Sequence, residues 1–145
     1  MKAKHLFRIF LILIFLQACS KKSAADFNSN FLLFKDHISG FTSGIVPSQS
    51  DIRVVLANNQ KNWKVNQILP NDLFEISPSI SGKVVALSEN TVAFIPEKKL
   101  NQGTEYQVTF KLSKIVAVKK ELEDFKFTVK TIKQDFIVNT HDIQS

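Results

Sequence analysis

Apolar and polar residues alternate with a period of two through much of residues 74–110, and short polar turns interrupt the alternation. This periodicity is typical of strands that bury one face, because successive side chains of a strand point to opposite sides of the sheet. The clearest alternation places apolar side chains at Tyr106, Val108, Phe110 and Leu112, and again at Phe125, Phe127 and Val129. The pattern predicts an all-β domain built as an antiparallel β-sandwich.

About seven segments have strand character, and Gly, Pro, Asn and Ser are frequent between them. One strand is expected within residues 31–41, and others at residues 51–56, 73–76, 83–87, 91–95, 105–112 and 125–129. Residues 57–72 are predicted to form a long connection and residues 113–124 a loop. Ser88, Glu89 and Asn90 predict a hairpin turn in which Asn90 adopts a left-handed conformation.

The first 18 residues have the layout of a secretory signal peptide. Lys2, Lys4 and Arg8 give a basic start, and an apolar run at residues 9–16 follows. A helix that spans a bilayer needs about 20 apolar residues, so this run is too short to cross a membrane. We therefore expect residues 1–18 to be removed.

The end of this segment resembles the lipobox of bacterial lipoproteins. Leu16, Gln17 and Ala18 precede Cys19, which is the only cysteine of the chain. The resemblance implies that Cys19 becomes the N-terminus, that its sulfur carries a diacylglycerol and that its amine is usually acylated too. Several acyl chains make a lasting anchor, since each buried methylene contributes about 0.8 kcal/mol. The alternative is an ordinary signal peptide with a chance cysteine.

Ser20 bears on which membrane receives the protein. In Gram-negative lipoproteins an Asp after the cysteine tends to retain the protein at the inner membrane, so Ser20 implies an outer-membrane lipoprotein facing the periplasm. The small polar residues that follow predict a flexible tether. The expected organisation is a signal peptide at 1–18, a lipidated N-terminus and tether at 19–30, a sandwich at 31–133, and a linker or the start of a following domain at 134–145.

The charge of the chain and the distribution of its basic residues bear on nucleic-acid binding. The formal net charge is +6, and removal of Lys2, Lys4 and Arg8 with the signal peptide leaves +3. The other lysines are spread over many segments, without an arginine cluster or an aromatic stacking platform, so we expect no nucleic-acid binding.

Catalytic and metal-ligating residues are not indicated by any motif. His37 and His141 lie near opposite ends of the mature chain, and no Gly-x-Ser-x-Gly nucleophile motif accompanies them. Glu121, Glu123 and Asp124 form a run that is typical of a solvated surface rather than of an opposed carboxylate pair. We expect no enzyme activity, no metal, and no cofactor other than the covalent lipid.

Trp63 is the only tryptophan, and it lies between Lys61 and Lys64 in a polar segment. It is a candidate binding residue, because an isolated aromatic side chain can form a ligand platform. A cap over an open end of the sandwich is the interpretation we favour, since large aromatic side chains tend to be buried.

Leu100, Gly103, Thr104 and Tyr106 have the spacing Leu-x-x-Gly-Thr-x-Tyr. This spacing resembles the tyrosine corner of Ig-like and fibronectin-type sandwiches, although Gln102 stands where a proline is common. In such a corner, a Tyr near the start of a late strand hydrogen-bonds through its hydroxyl to backbone a few residues upstream. The resemblance implies an Ig-like sandwich with a structural corner at Leu100, Gly103 and Tyr106.

Several short motifs follow each other from about Asp36 onward, namely FTSGIVPS at 41–48, IRV at 52–54, FEISP at 74–78, FIP at 94–96, the corner at 100–106, FKF at 125–127 and QDF at 134–136. Their order resembles the N-terminal Ig-like domain of bacterial alpha-2-macroglobulin lipoproteins and, more loosely, other bacterial Ig-like domains.

In the macroglobulin family, strings of β-sandwich domains surround a bait region and often a thioester, and the assembly traps proteases in the periplasm. The resemblance implies that this chain supplies the membrane anchor and first domain, with downstream domains and proteases as protein partners. The chain has no Cys-x-x-Glu-Gln thioester motif, so no trapping residue is assigned. The alternative is a stand-alone Ig-like lipoprotein that binds a glycan or protein of the cell envelope.

Overall fold

Two β-sheets packed face to face make up most of the described part of the protein. The computed structural model describes residues 31–133. The predicted signal peptide, the lipobox with Cys19, the tether and residues 134–145 lie outside the described residues.

Nine strands follow one helical turn along the described chain. The helical turn, α1, spans Phe31–Phe34. The strands are β1 Ile38–Phe41, β2 Gly44–Val46, β3 Ile52–Leu56, β4 Gln67–Leu69, β5 Phe74–Ser77, β6 Gly82–Ala86, β7 Thr91–Pro96, β8 Glu105–Lys111 and β9 Asp124–Thr131. Short 3₁₀ turns lie in the connections at Asn71–Leu73, Leu112–Lys114 and Lys120–Leu122.

The strand order confirms an all-β, Ig-like sandwich. One sheet has the order β1-β3-β7-β6-β4 and the other the order β2-β9-β8-β5. All paired neighbours are antiparallel except β2 and β9, which run parallel. Without β2 and β4, seven strands remain, and in chain order A to G they divide between the sheets as ABED and CFG. This is the division found in immunoglobulin constant-type domains.

The two additional strands explain why the sheets contain nine strands rather than about seven. β2 and β4 have three residues each and lie at sheet edges. Three residues are too few to display a period of two, so neither strand has a recognisable sequence pattern. The prediction that residues 57–72 form a connection is wrong at β4, which pairs with β6.

The N-terminal part of the strand predicted within residues 31–41 is instead the helical turn α1. Phe31 and Phe34 are three positions apart, which places them on one side of a helical turn. Their ring centroids lie 6.5 and 4.9 Å from that of Phe125, at the start of β9. Leu32 and Leu33 are exposed between them. The apolar run therefore has helical spacing, and only β1 is extended.

The β6–β7 turn forms without the left-handed conformation that the sequence predicts for Asn90. In residues 31–133, Asn66 is the only non-glycine residue with a positive φ. Asn90 closes the turn through its side chain instead: the Ser88 hydroxyl donates to Oδ1 at 2.9 Å, and Nδ2 donates to the Leu56 carbonyl at 3.4 Å. These hydrogen bonds tie the turn to the end of β3.

The core between the sheets is rich in phenylalanine. Phe41 packs against Phe125 and Phe127 with ring centroids 5.0 and 5.1 Å apart. A second pair, Phe74 and Phe110, joins β5 to β8 at 5.1 Å. Large rings cover much area per residue, so the interior is filled without a disulfide.

Candidate functional site

One end of the sandwich gathers the connections that carry Trp63, His37 and the carboxylates of the β8–β9 connection. The β3–β4 connection meets the β6–β7 turn, because the Gln60 N–H donates to the Glu89 carbonyl at 2.7 Å. The turn after α1 meets the end of β3, because the Ala57 N–H donates to the His37 carbonyl at 2.8 Å. We call this the loop end. The opposite end carries the turn before β8, and we call it the corner end.

A cleft of about 450 Å³ opens beside Trp63 at the loop end. Its volume falls within the range of about 300–1,000 Å³ that is usual for small-ligand sites. The β8–β9 connection contributes one wall with Lys114 and Ile115, and the β3–β4 connection contributes another with Gln60, Asn62 and Trp63. The cleft is thus formed by segments far apart in sequence.

Trp63 is half-buried and packs against the core while also lining the cleft. Its backbone N–H donates to the Gln60 carbonyl at 3.0 Å, which fixes the turn that carries the ring. This position is compatible with both interpretations of Trp63, as a cap and as a ligand platform. The ring covers the loop end, and part of its surface faces the cleft.

An ion pair crosses the cleft between Lys114 Nζ and Asp72 Oδ2. The two side chains are 44% and 63% exposed, and pairs as exposed as this contribute little to stability. Together with the amides of Gln60 and Asn62, the ion pair offers hydrogen-bonding groups beside an aromatic face. The arrangement suits a polar ligand with one apolar side.

His37 is half-buried at the loop end, where it borders a shallow hollow with Asp36, Val118, Lys119 and Leu122. Among residues 31–133, no group of three or more His, Cys, Asp or Glu side chains is placed to hold a metal ion. Glu121 and Glu123, which the sequence places on a solvated surface, are exposed in the β8–β9 connection.

At the corner end, the structure places Leu100, Gly103 and Tyr106 as the tyrosine-corner motif requires. Tyr106 is fully buried, and its hydroxyl oxygen accepts a hydrogen bond from the Asn101 N–H at 3.0 Å. Leu100 is buried, and Gly103 has a φ of 63°, which favours glycine. The motif therefore closes the connection between β7 in one sheet and β8 in the other.

Thr131 completes this corner, although no sequence signal singles it out. It is buried at the end of β9, where its hydroxyl donates to the Asn101 carbonyl and accepts from the Thr104 N–H at 2.9 Å. Both backbone groups of Asn101 are thus held by side chains, one from β8 and one from β9. The contact between Thr131 and Asn101 depends on the register of β9 against β8, and the pattern of apolar residues does not reveal that register.

Lys111 at the end of β8 lies between two carboxylates on neighbouring strands. Its Nζ is 3.1 Å from Asp124 Oδ2 and 3.4 Å from Glu75 Oε2. The hydrogen bond to Asp124 is the main cause that raises the pKa of Lys111 above its usual 10.5, with Glu75 as a smaller contributor. This cluster ties β5, β8 and β9 together at the outer face of one sheet.

No family model matches the chain, and no curated protein matches it. Among solved structures, it is similar to L,D-transpeptidase 3 from Mycobacterium tuberculosis in complex with a faropenem-derived adduct, with a TM-score of 0.47 and 11% identity over 68% of this chain and 39% of that one. It is also similar to an L,D-transpeptidase from Mycobacterium tuberculosis H37Rv, with a TM-score of 0.47 and 11% identity over 66% of this chain and 40% of that one.

The chain thus spans about two fifths of the length of these transpeptidases. Similarity this distant carries no information about activity, and the Ig-like assignment rests on the strand order. No helix within residues 31–133 is long and apolar enough to cross a membrane.

Proposed function

We propose that this protein is a lipid-anchored Ig-like module that forms the membrane-proximal first domain of an alpha-2-macroglobulin-like lipoprotein. In this proposal the lipid on Cys19 holds the domain at the periplasmic face of the outer membrane. The domain itself is not catalytic, and it contributes to protease defence by positioning the domains that follow.

The positions of the two ends of the described chain carry this proposal. Phe31 lies beside Phe125 at the loop end, whereas Lys133 lies beside Gly103 at the corner end. The eight residues of β9 run from one end to the other, a distance of about 25 Å at roughly 3.3 Å per residue. The described chain thus begins at one end of the sandwich and finishes at the other, which is the arrangement that a spacer between an anchor and following domains requires.

The sequence supports the two other parts of the proposal. Leu16, Gln17 and Ala18 before Cys19 resemble a lipobox, and the order of motifs from Asp36 onward resembles the first domain of bacterial macroglobulin lipoproteins. The Tyr106 corner is a feature of Ig-like sandwiches and agrees with that resemblance.

Metabolic labelling tests the anchor. Cells that produce the full chain are grown with an alkyne analogue of palmitate, and the labelled protein is compared with the Cys19→Ala variant. Label is expected on the wild type and absent from the variant. Equal labelling of the two proteins, or no label on either, would refute the lipid anchor.

The macroglobulin part has a separate test. The lipoprotein, purified from envelopes in the form that the cell makes, is mixed with an active protease and separated by size. A protease that elutes with the lipoprotein supports the proposal. A protease that elutes alone, with the lipoprotein intact, contradicts the defence role and leaves the anchor standing.

A further inference from the structure

Two adjacent leucines are exposed at the start of the described domain. Leu32 and Leu33 in α1 have 74% and 64% of their surface open to solvent. Phe34 is buried and Phe31 is half-buried, and both rings pack against Phe125, so the same packing directs the two leucines outward. Two large apolar side chains next to each other on the surface favour contact with an apolar partner.

The β8–β9 connection places further apolar side chains at the same end of the domain. Asp36, just after α1, borders the same hollow as Ala117, Val118 and Lys119. Ala117 is exposed and Val118 is half-buried. We call Leu32, Leu33, Ala117 and Val118 the proximal surface.

Charged residues of both signs lie around the proximal surface. Lys35, Lys119 and Lys120 are exposed there, as are Asp36, Glu121 and Glu123. Lysine side chains can lay their methylene stems along an apolar layer while the ammonium groups stay among headgroups.

The proximal surface lies where the anchored part of the chain joins the domain. Phe31 lies twelve positions after Cys19, so the domain stays within about 40 Å of a lipid on Cys19 even at full extension. Tethering at this distance converts a weak contact into an intramolecular one with a high effective concentration. Contacts too weak to bind a free domain to a membrane therefore suffice for an anchored one.

We infer that the proximal surface rests on the lipid bilayer, with Leu32 and Leu33 inserted at the headgroup level. The inference rests on the lipid anchor of the proposed function and adds an orientation to it. The loop end faces the membrane, and the corner end directs the following chain away from it.

A fluorescent label at Leu32 tests this orientation. The Leu32→Cys variant is produced as the lipidated protein, so that Cys19 is blocked and the new cysteine is the only free thiol. After labelling with an environment-sensitive dye, the protein is reconstituted into vesicles of phosphatidylethanolamine and phosphatidylglycerol. The emission is expected to shift to the blue and to be quenched by lipids that carry a spin label near the headgroup.

Lys98→Cys provides the matched control, since Lys98 is exposed in the β7–β8 connection at the corner end. Its label is expected to remain in water and unquenched. Equal quenching at both positions, or at neither, would overturn the inference while the anchor stands. A Leu32 label that is shielded from water but not quenched by lipid indicates a protein partner, such as a second copy, and also overturns it.

A second experiment distinguishes insertion of the two leucines into the bilayer from mere closeness of the domain to the membrane. A label at Ala117→Cys is measured with and without Leu32→Glu and Leu33→Glu, which replace exposed side chains and are expected to leave the fold intact. Quenching at Ala117 is expected to be lost when both leucines are replaced, and unchanged quenching contradicts insertion. If a free thiol count shows that Cys19 is unmodified, the anchor and the inference fail together.

Discussion

At the scale of single residues, the corner end is held by polar side chains within an apolar interior. The Tyr106 hydroxyl accepts from the Asn101 N–H, and the Thr131 hydroxyl donates to the Asn101 carbonyl. Asn101 lies in an irregular turn, where no sheet neighbour satisfies its backbone groups. The two hydroxyls supply those hydrogen bonds and so fix the path of the chain between the sheets.

Tyr106→Phe is expected to lower the free energy of unfolding by about 1 kcal/mol or more, because the ring stays in place while the Asn101 N–H loses its partner. Urea denaturation of the detergent-solubilised protein measures the difference. Thr109→Val is the control, since it removes a half-buried hydroxyl on the outer face of the same strand, and its effect is expected to stay within about 0.5 kcal/mol. Equal effects of the two substitutions would contradict a structural role of the hydroxyl.

Lys111 gives a prediction about pH. Its pKa is raised in the folded state, so its pairing with Asp124 and Glu75 stabilises the fold below the ordinary value of 10.5 and is lost as the pH rises through the raised value. Lys111→Met is expected to cost about 0.2–1 kcal/mol near neutral pH, as partly exposed pairs do. The cost should vanish in strongly alkaline solution. A cost that is the same in urea titrations at both pH values would contradict the assignment.

At the scale of elements, a strand can be predicted from the sequence when one of its faces is buried, because the buried face produces a regular alternation of apolar and polar residues. β8 and β9 alternate clearly because one face of each lies in the core, and their existence could be predicted from residues such as Val108 and Phe127. β2 and β4 lie at sheet edges, have three residues each and bury only Leu69, so burial leaves no recognisable pattern in them. The helical turn α1 consists of only four residues, too few for a period to be recognised.

Gly82 at the start of β6 is expected to tolerate no larger side chain. A Cβ there would lie 2.6 Å from the Ile95 carbonyl oxygen and in contact with the Phe94 ring. Gly82→Ala is therefore expected to lower stability by about 1–3 kcal/mol, as overpacked sites do. Gly40→Ala in β1 is the matched control, because its nearest atom would be 3.8 Å away. A thermal melt in which both variants behave like the wild type would contradict the close approach of β6 and β7.

At the scale of the whole molecule, the parts that depend on long-range placement could not be predicted. Trp63 is visible in the sequence as an isolated aromatic residue, but the cleft beside it requires Lys114 and Ile115 from the β8–β9 connection. The opposite positions of Phe31 and Lys133 likewise follow from strand order rather than from any local motif. In the proposed lipid-anchored module, that geometry gives the domain a membrane end and a distal end.

The mass of the intact protein, purified from cell envelopes in detergent, tests the central claim most directly. We predict a chain that begins at Cys19 and carries the added mass of a diacylglycerol and an acyl chain. The Cys19→Ala variant should lack this mass. A wild-type protein that begins at another residue, or that begins at Cys19 without lipid, would contradict the account of a lipid-anchored module.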